Sequence, residues 1–187
     1  MPQRLNPILP GNIYHIYNRG INREKIFYSD RNYLFFINQM CKYLSRHCEC
    51  YAFCLMPNHF HLLLKIEDDQ FISKTFQPLM VSYSKAINSE QGRIGPLFQG
   101  RFQANLIEDK IQFLDCLKYV HLNPVQAGLV RSPIEWAHSS YRQYLNARSL
   151  TFIHTSVVLE YFEDIQEFRD FNEFGCADSH SRFSDYD

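Results

Sequence analysis

The apolar positions of this chain alternate between two periods. Across residues 12–18, Ile13, Tyr14, Ile16 and Tyr17 form a short run of strand-favouring residues. Gly20 and Asn22 open a loop behind it. From Asp30, a good helix N-cap, to about Arg46 the spacing becomes helical, with Tyr33, Phe36, Ile37, Met40 and Leu44 on one stripe. Two apolar runs follow, 49–55 and 59–66, split by Met56-Pro57-Asn58. Proline and asparagine in so short a gap predict a turn, and hence a hairpin. After the acidic loop Glu67-Asp68-Asp69, residues 71–89 read as a helix, and Gly92, Gly95 and Pro96 break the chain. Residues 102–108 read as a fourth strand. Asp109 is placed to cap a helix from about Lys110 to Asn123, which Pro124 is expected to end. Past Pro133 the pattern is helical in pieces, and residues 177–187 read as a disordered tail.

The order is therefore strand, helix, strand, strand, helix, strand, helix. Strands joined by a tight hairpin exclude a sheet that is parallel throughout. The fold class expected is α+β: a ferredoxin-like four-stranded antiparallel sheet with helices packed on it, plus a C-terminal helical extension. Residues 1–132 would form the main domain, 133–176 its extension and 177–187 the tail.

Composition narrows the picture. A chain of 187 residues that is 45% hydrophobic and 21% charged is neither disordered nor a coiled coil, and its length suffices for a sizeable core. No stretch approaches the ~20 apolar residues of a membrane span, and no apolar run follows the charge at the N-terminus, so a cytoplasmic protein is expected. Its six cysteines form no CxxC pair and read as reduced thiols. Cys41, Cys48, Cys50 and Cys54 lie close enough in sequence to leave a zinc site as an alternative. Charge is uneven: up to residue 132 there are 15 Lys and Arg against 10 Asp and Glu, and beyond it 4 against 10. A basic body with an acidic tail suits contact with a polyanion.

Two spacings carry chemistry. In His59-Phe60-His61 the alternation of a strand puts both imidazoles on one face, where they can share a metal ion; two surface histidines are the plain alternative. Tyr119 and Asn123 are one turn apart on the helix, so they share a face. Asn123 offers a carbonyl oxygen to a hard ion such as Mg²⁺, and Tyr119 a phenol that ionises more readily beside a cation. A core tyrosine, and an asparagine capping the helix before Pro124, are the structural alternatives.

Several runs together resemble a known family. They are Met56-Pro57-Asn58-His59-Phe60-His61-Leu62-Leu63-Leu64, Gly100-Arg101-Phe102, Tyr119-Val120-His121-Leu122-Asn123-Pro124-Val125-Gln126-Ala127-Gly128-Leu129 and Trp136-Ala137-His138-Ser139-Ser140-Tyr141. In this order they resemble the HUH-class single-tyrosine transposases, the IS200-like group, and within it the REP-associated tyrosine transposases. The resemblance implies a metal-dependent endonuclease and strand transferase for single-stranded DNA beside hairpins, working through a 5′-phosphotyrosine. It implies Tyr119 as nucleophile and His59, His61 and Asn123 as ligands of Mg²⁺ or Mn²⁺, although ligand softness alone would favour Zn²⁺. Asn123 stands where the insertion-sequence branch usually carries Gln. Both a homodimer and a monomer remain open, and the alternative function is a domesticated hairpin-DNA-binding protein that does not cut. Arg19, Arg23, Lys85, Arg93, Arg101, Lys110 and Lys118 are candidate contacts to a DNA backbone. His15, on the first strand, is a candidate neighbour of the site, with a structural histidine as the alternative. Tyr83 is the rival nucleophile, without an amide one turn on.

Overall fold

The computed structural model describes residues 7–44, 46–145 and 150–173; the expected tail at 177–187 lies outside them. The main elements are β1 (Ile13–Arg19), α1 (Asp30–Leu44), β2 (Cys48–Met56), β3 (His59–Ile66), α2 (Gln77–Glu90), β4 (Gln103–Ile107) and α3 (Lys110–Gln126). Three short helices follow: α4 (Tyr141–Leu145), α5 (Thr155–Leu159) and α6 (Ile165–Glu173). The strands form one antiparallel sheet in the order β2-β3-β1-β4, the ferredoxin-like arrangement expected from the pattern.

Alternation along the strands gives the sheet two different faces. On one, Ile16, Phe53, Leu55, Phe60, Leu62 and Leu64 pack with Phe36, Met40, Leu79 and Tyr83 of α1 and α2. On the other, Cys54, Leu63 and Ile107 pack with Leu117, Tyr119 and Val120 of α3. A bulge at Tyr51, between the pairs Cys50–Leu64 and Ala52–Leu63, shifts β2 by one residue so that both faces stay apolar. The cysteines follow this division. Cys48 and Cys50 enter the first core, Cys54 the second, and Cys41 is exposed on α1. Opposite faces of a sheet cannot share an ion, and among the described residues no cluster of three His, Cys, Asp or Glu gathers. No described helix is long and apolar enough to cross a membrane.

Three elements depart from the expected pattern. The helix expected at 71–89 begins as a π-helical turn, Phe71–Phe76, before α2 takes over. The helix α1 starts at Asp30 rather than after it. The Asn32 carboxamide oxygen accepts from Tyr28 N and Ser29 N at its entry, while the Asp30 carboxylate meets His138 Nε2 at 3.3 Å. Asp109 caps α3 as expected, its Oδ1 accepting from Gln112 N at 2.8 Å. Pro124, however, does not end that helix. α3 runs on to Gln126, because the proline costs one intrahelical bond and the turn is recovered by Gly128. At φ 69° this glycine permits Leu129 N to bond Pro124 O and Gly128 N to bond Val125 O, a Schellman closure. Asn123 is thus an interior helical residue and not the C-cap.

The segment after α3 seals the outer edge of β2. His138 O accepts from Leu55 N, Ser140 N donates to Phe53 O, and the Ser140 hydroxyl oxygen accepts from Phe53 N, each at 2.9 Å. Trp136 Nε1 donates to Leu55 O, Tyr144 Oη to Tyr51 O, and His154 N to Cys50 O. His121 ties α3 to the same segment, bonding Ser140 Oγ through Nε2 (2.9 Å) and the Asn172 carboxamide of α6 through Nδ1 (3.0 Å). Fully buried, its imidazole is pushed down to about 4 by desolvation, against a smaller upward pull from Asn172.

Candidate active site

The site lies where the C-terminal half of α3 crosses the sheet, at the end where β1 finishes and β3 begins. β3 sends His59 and His61 to this face, and β1 sends His15, Tyr17 and Arg19, since directly paired residues of antiparallel strands share a face: Tyr17 pairs with His61 and Arg19 with His59. α3 lays Tyr119 and Asn123 over them. The His59 and His61 ring centroids are 4.9 Å apart. Tyr119 sits edge-on to His61 at 5.1 Å and to His15 at 5.8 Å, and is only 2% exposed.

Hydrogen bonds fix the first imidazole. Asn58 Nδ2 donates to Arg23 O at 3.2 Å, which turns its Oδ1 toward the ring, and His59 Nδ1–H donates to that oxygen at 2.7 Å. The other nitrogen, Nε2, lies 3.1 Å from Asn123 Oδ1. In a neutral ring with its proton on Nδ1 that nitrogen accepts, so it can share a cation with the Asn123 oxygen or, without one, take an N–H from the Asn123 carboxamide turned end for end. His61 is held differently: its Nδ1 shares a hydrogen bond with His15 Nε2 at 2.9 Å, deep in the protein, both residues being about fully buried. Two imidazoles and one carboxamide oxygen make a mixed donor set, small enough to leave coordination places for phosphate oxygens or water. It fits a divalent ion bound between strand and helix.

The histidine pair, Tyr119 and Asn123 are therefore brought together, and His15 joins them. Tyr83 is not: it lies on the far side of the sheet, where its hydroxyl donates to Ile26 O at 2.7 Å and burial raises its phenol well above the ordinary range. The basic candidates do not converge as a set. Arg19 borders His59, its Nε donating to Gln99 Oε1. Arg23 lies in the turn Ile21–Arg23 beside Asn58, Arg101 just ahead of β4, and Lys118 next to Tyr119 with its ammonium 5.2 Å from the Phe171 ring. Arg93 is bonded to Glu24 at 2.7 Å, Lys110 sits over the Tyr161 ring at the opposite end of α3, and Lys85 is exposed on α2, across the sheet.

Sequence reasoning missed Tyr17 as a site residue. Its ring stacks on His15 at 5.0 Å and on His61 at 5.9 Å, and it is more open to solvent than Tyr119. The available signal was its place two residues from His15 on one strand face.

A model of the IS200-like transposase family matches residues 10–123, more than half of the chain and the stretch that holds all four principal site residues. The chain belongs to the IS200-like transposase family. A protein of Haemophilus influenzae described as a REP-associated tyrosine transposase is 26% identical over 141 residues, 67% of this chain and 77% of that protein. The solved structure of a REP-associated tyrosine transposase bound to a REP hairpin aligns with a TM-score of 0.59 at 17% identity, over 83% of this chain and 96% of that one. That likeness is one of fold. It covers a larger share of this family member than the stretch matched by the family model.

Proposed function

We propose that this transposase cuts and rejoins single-stranded DNA next to hairpins, in a reaction that depends on a divalent metal. One observation carries the reading: His59 Nε2 and Asn123 Oδ1, from different elements 64 residues apart, face each other at 3.1 Å with Tyr119 against His61. His59, His61 and Asn123 would hold the ion. Bound there, Mg²⁺ or Mn²⁺ supplies polarisation of a phosphoryl oxygen and neutralises charge developing on it. Tyr119 is the nucleophile. Its Oη–P bond forms in line as the P–O3′ bond breaks, and the phenolic proton ends on the departing 3′ oxygen. The products are a free 3′-OH and a 5′-phosphotyrosine, which conserves the phosphodiester so that a second 3′-OH can reseal the strand. Arg19, Arg23 and Arg101, at the end of the sheet where the site lies, and Lys118 on α3 are the basic residues we assign to the DNA backbone. Residues 1–132 act as the catalytic domain, with 133–176 as its extension.

The test is a covalent-adduct assay. Single-stranded oligonucleotides tiling both flanks of the gene, labelled on the 3′ side, are incubated with protein and Mg²⁺ or Mn²⁺ and run on a denaturing gel. A metal-dependent adduct that Tyr119→Phe abolishes supports the reading; an adduct that survives the substitution overturns the choice of tyrosine. The 2% exposure of Tyr119 favours the second reading, a protein that grips hairpins without cutting. Hairpin binding with no adduct on any flank would establish that one instead.

A further inference from the structure

Both site histidines have the same nitrogen engaged by a neighbour. His59 gives Nδ1–H to Asn58 Oδ1 at 2.7 Å, and Asn58 is itself oriented by its bond to Arg23 O. His61 Nδ1 meets His15 Nε2 at 2.9 Å. The two neighbours come from unrelated places, one from the β2–β3 turn and the other from the central strand β1. His15 is held hard: it is fully buried between β3 and β4, and its ring stacks on His61 at 5.1 Å and on Tyr17 at 5.0 Å. A group so fixed can set the ring orientation of its partner.

We propose that His15 and Asn58 are positioning residues that hold His61 and His59 in the Nδ1–H tautomer, so that each presents Nε2 as a lone pair. The inference rests on the metal reading above for its purpose, though not for its geometry. A neutral imidazole carries one N–H; an acceptor at Nδ1 places it there and makes Nε2 the donor atom to a cation. For His59 the oriented Asn58 amide sets this direction. For His61 the 2.9 Å bond joins two imidazole nitrogens, and the proposal places its proton on His61 Nδ1, which gives His15 the complementary form with its own proton on Nδ1. Outer partners of this kind fix ligand orientation before any ion arrives.

The test uses the full chain, without DNA. ¹⁵N shifts of the imidazoles report the tautomer of each histidine in metal-free protein at neutral pH, and a titration with Mn²⁺ alone reports affinity. We expect Nδ1–H at both His59 and His61. His15→Phe then redistributes the His61 tautomer and Asn58→Ala that of His59, each weakening Mn²⁺ binding by about 10- to 100-fold. His15→Gln, whose carbonyl can accept from His61, recovers most of the loss. Asn58 is half-exposed, so its variant keeps the test decisive where a change at buried His15 impairs folding. Nε2–H at His61 in the unaltered protein, or wild-type tautomers and Mn²⁺ affinity in both loss variants, overturns the proposal. Unaltered protein that binds no Mn²⁺ yet shows the expected tautomers sustains the positioning roles and overturns the metal reading instead.

Discussion

The same strands build the two faces of this sheet, and the faces obey different rules. Under α1 and α2, Phe60, Leu62 and Leu64 of β3 meet Phe36 and Tyr83 in an apolar core whose buried tyrosine hydroxyl is satisfied locally by Ile26 O. One residue out of phase on that strand, His59 and His61 meet Tyr119 and Asn123 of α3, with His15 buried alongside. The contrast shows that neither burial nor residue type tells the two tyrosines apart. Tyr83 and Tyr119 are both sealed from solvent, yet only Tyr119 has imidazoles against its ring. A strand whose alternate residues enter two different environments can be altered on one face with little direct effect on the other.

That separation can be broken by experiment. The largest difference expected is between the tyrosines: Tyr119→Phe abolishes adduct formation, whereas Tyr83→Phe leaves it intact and lowers stability by about 1 kcal/mol through its lost hydrogen bond, measured by urea unfolding. Next come the neighbours on β3. Phe60→Ala costs about 3–5 kcal/mol of stability by opening a cavity, while His61→Ala loses Mn²⁺ binding and cutting at a smaller stability cost. Acidification sharpens the comparison from the α3 side. Because His121 is held near 4 in the folded protein against 6.5 when free, its contribution is complete above about pH 6.5 and is lost as pH falls toward 4. The loss is roughly 3 kcal/mol, and His121→Gln should flatten it in urea midpoints measured across that range. His138, also lowered by burial, adds in the same direction. The smallest effect expected is on DNA affinity: Arg19→Ala, beside His59, reduces the salt slope for single strands by about 0.7, while Lys85→Ala across the sheet leaves it unchanged.

Much of this was legible in the chain. Strand alternation put His59 and His61 on one face, helical spacing did the same for Tyr119 and Asn123, and the strand–helix order selected the sheet topology. Local rules failed where a distant partner or a compensating turn intervened. Pro124 read as a helix stop because the signal that offsets it, Gly128, lies four residues on. The bond between His15 and His61 spans 46 residues and depends on strand register, which no local pattern encodes. Basic residues were legible as charges but not as neighbours: Arg93 is spent on Glu24, and Lys85 faces away.

The bonds from residues 136–154 to the rim of β2 also decide how much of this chain can be removed. β2 is nearly all apolar and buried, and its outer backbone groups at Phe53 and Leu55 are satisfied by that segment. Cutting the protein at residue 132 would bare the edge of a nine-residue strand that is nearly all apolar, the kind of template on which other chains stack. The segment acts as insulation for that edge, so a fragment ending at residue 132 is expected to aggregate where the full chain does not.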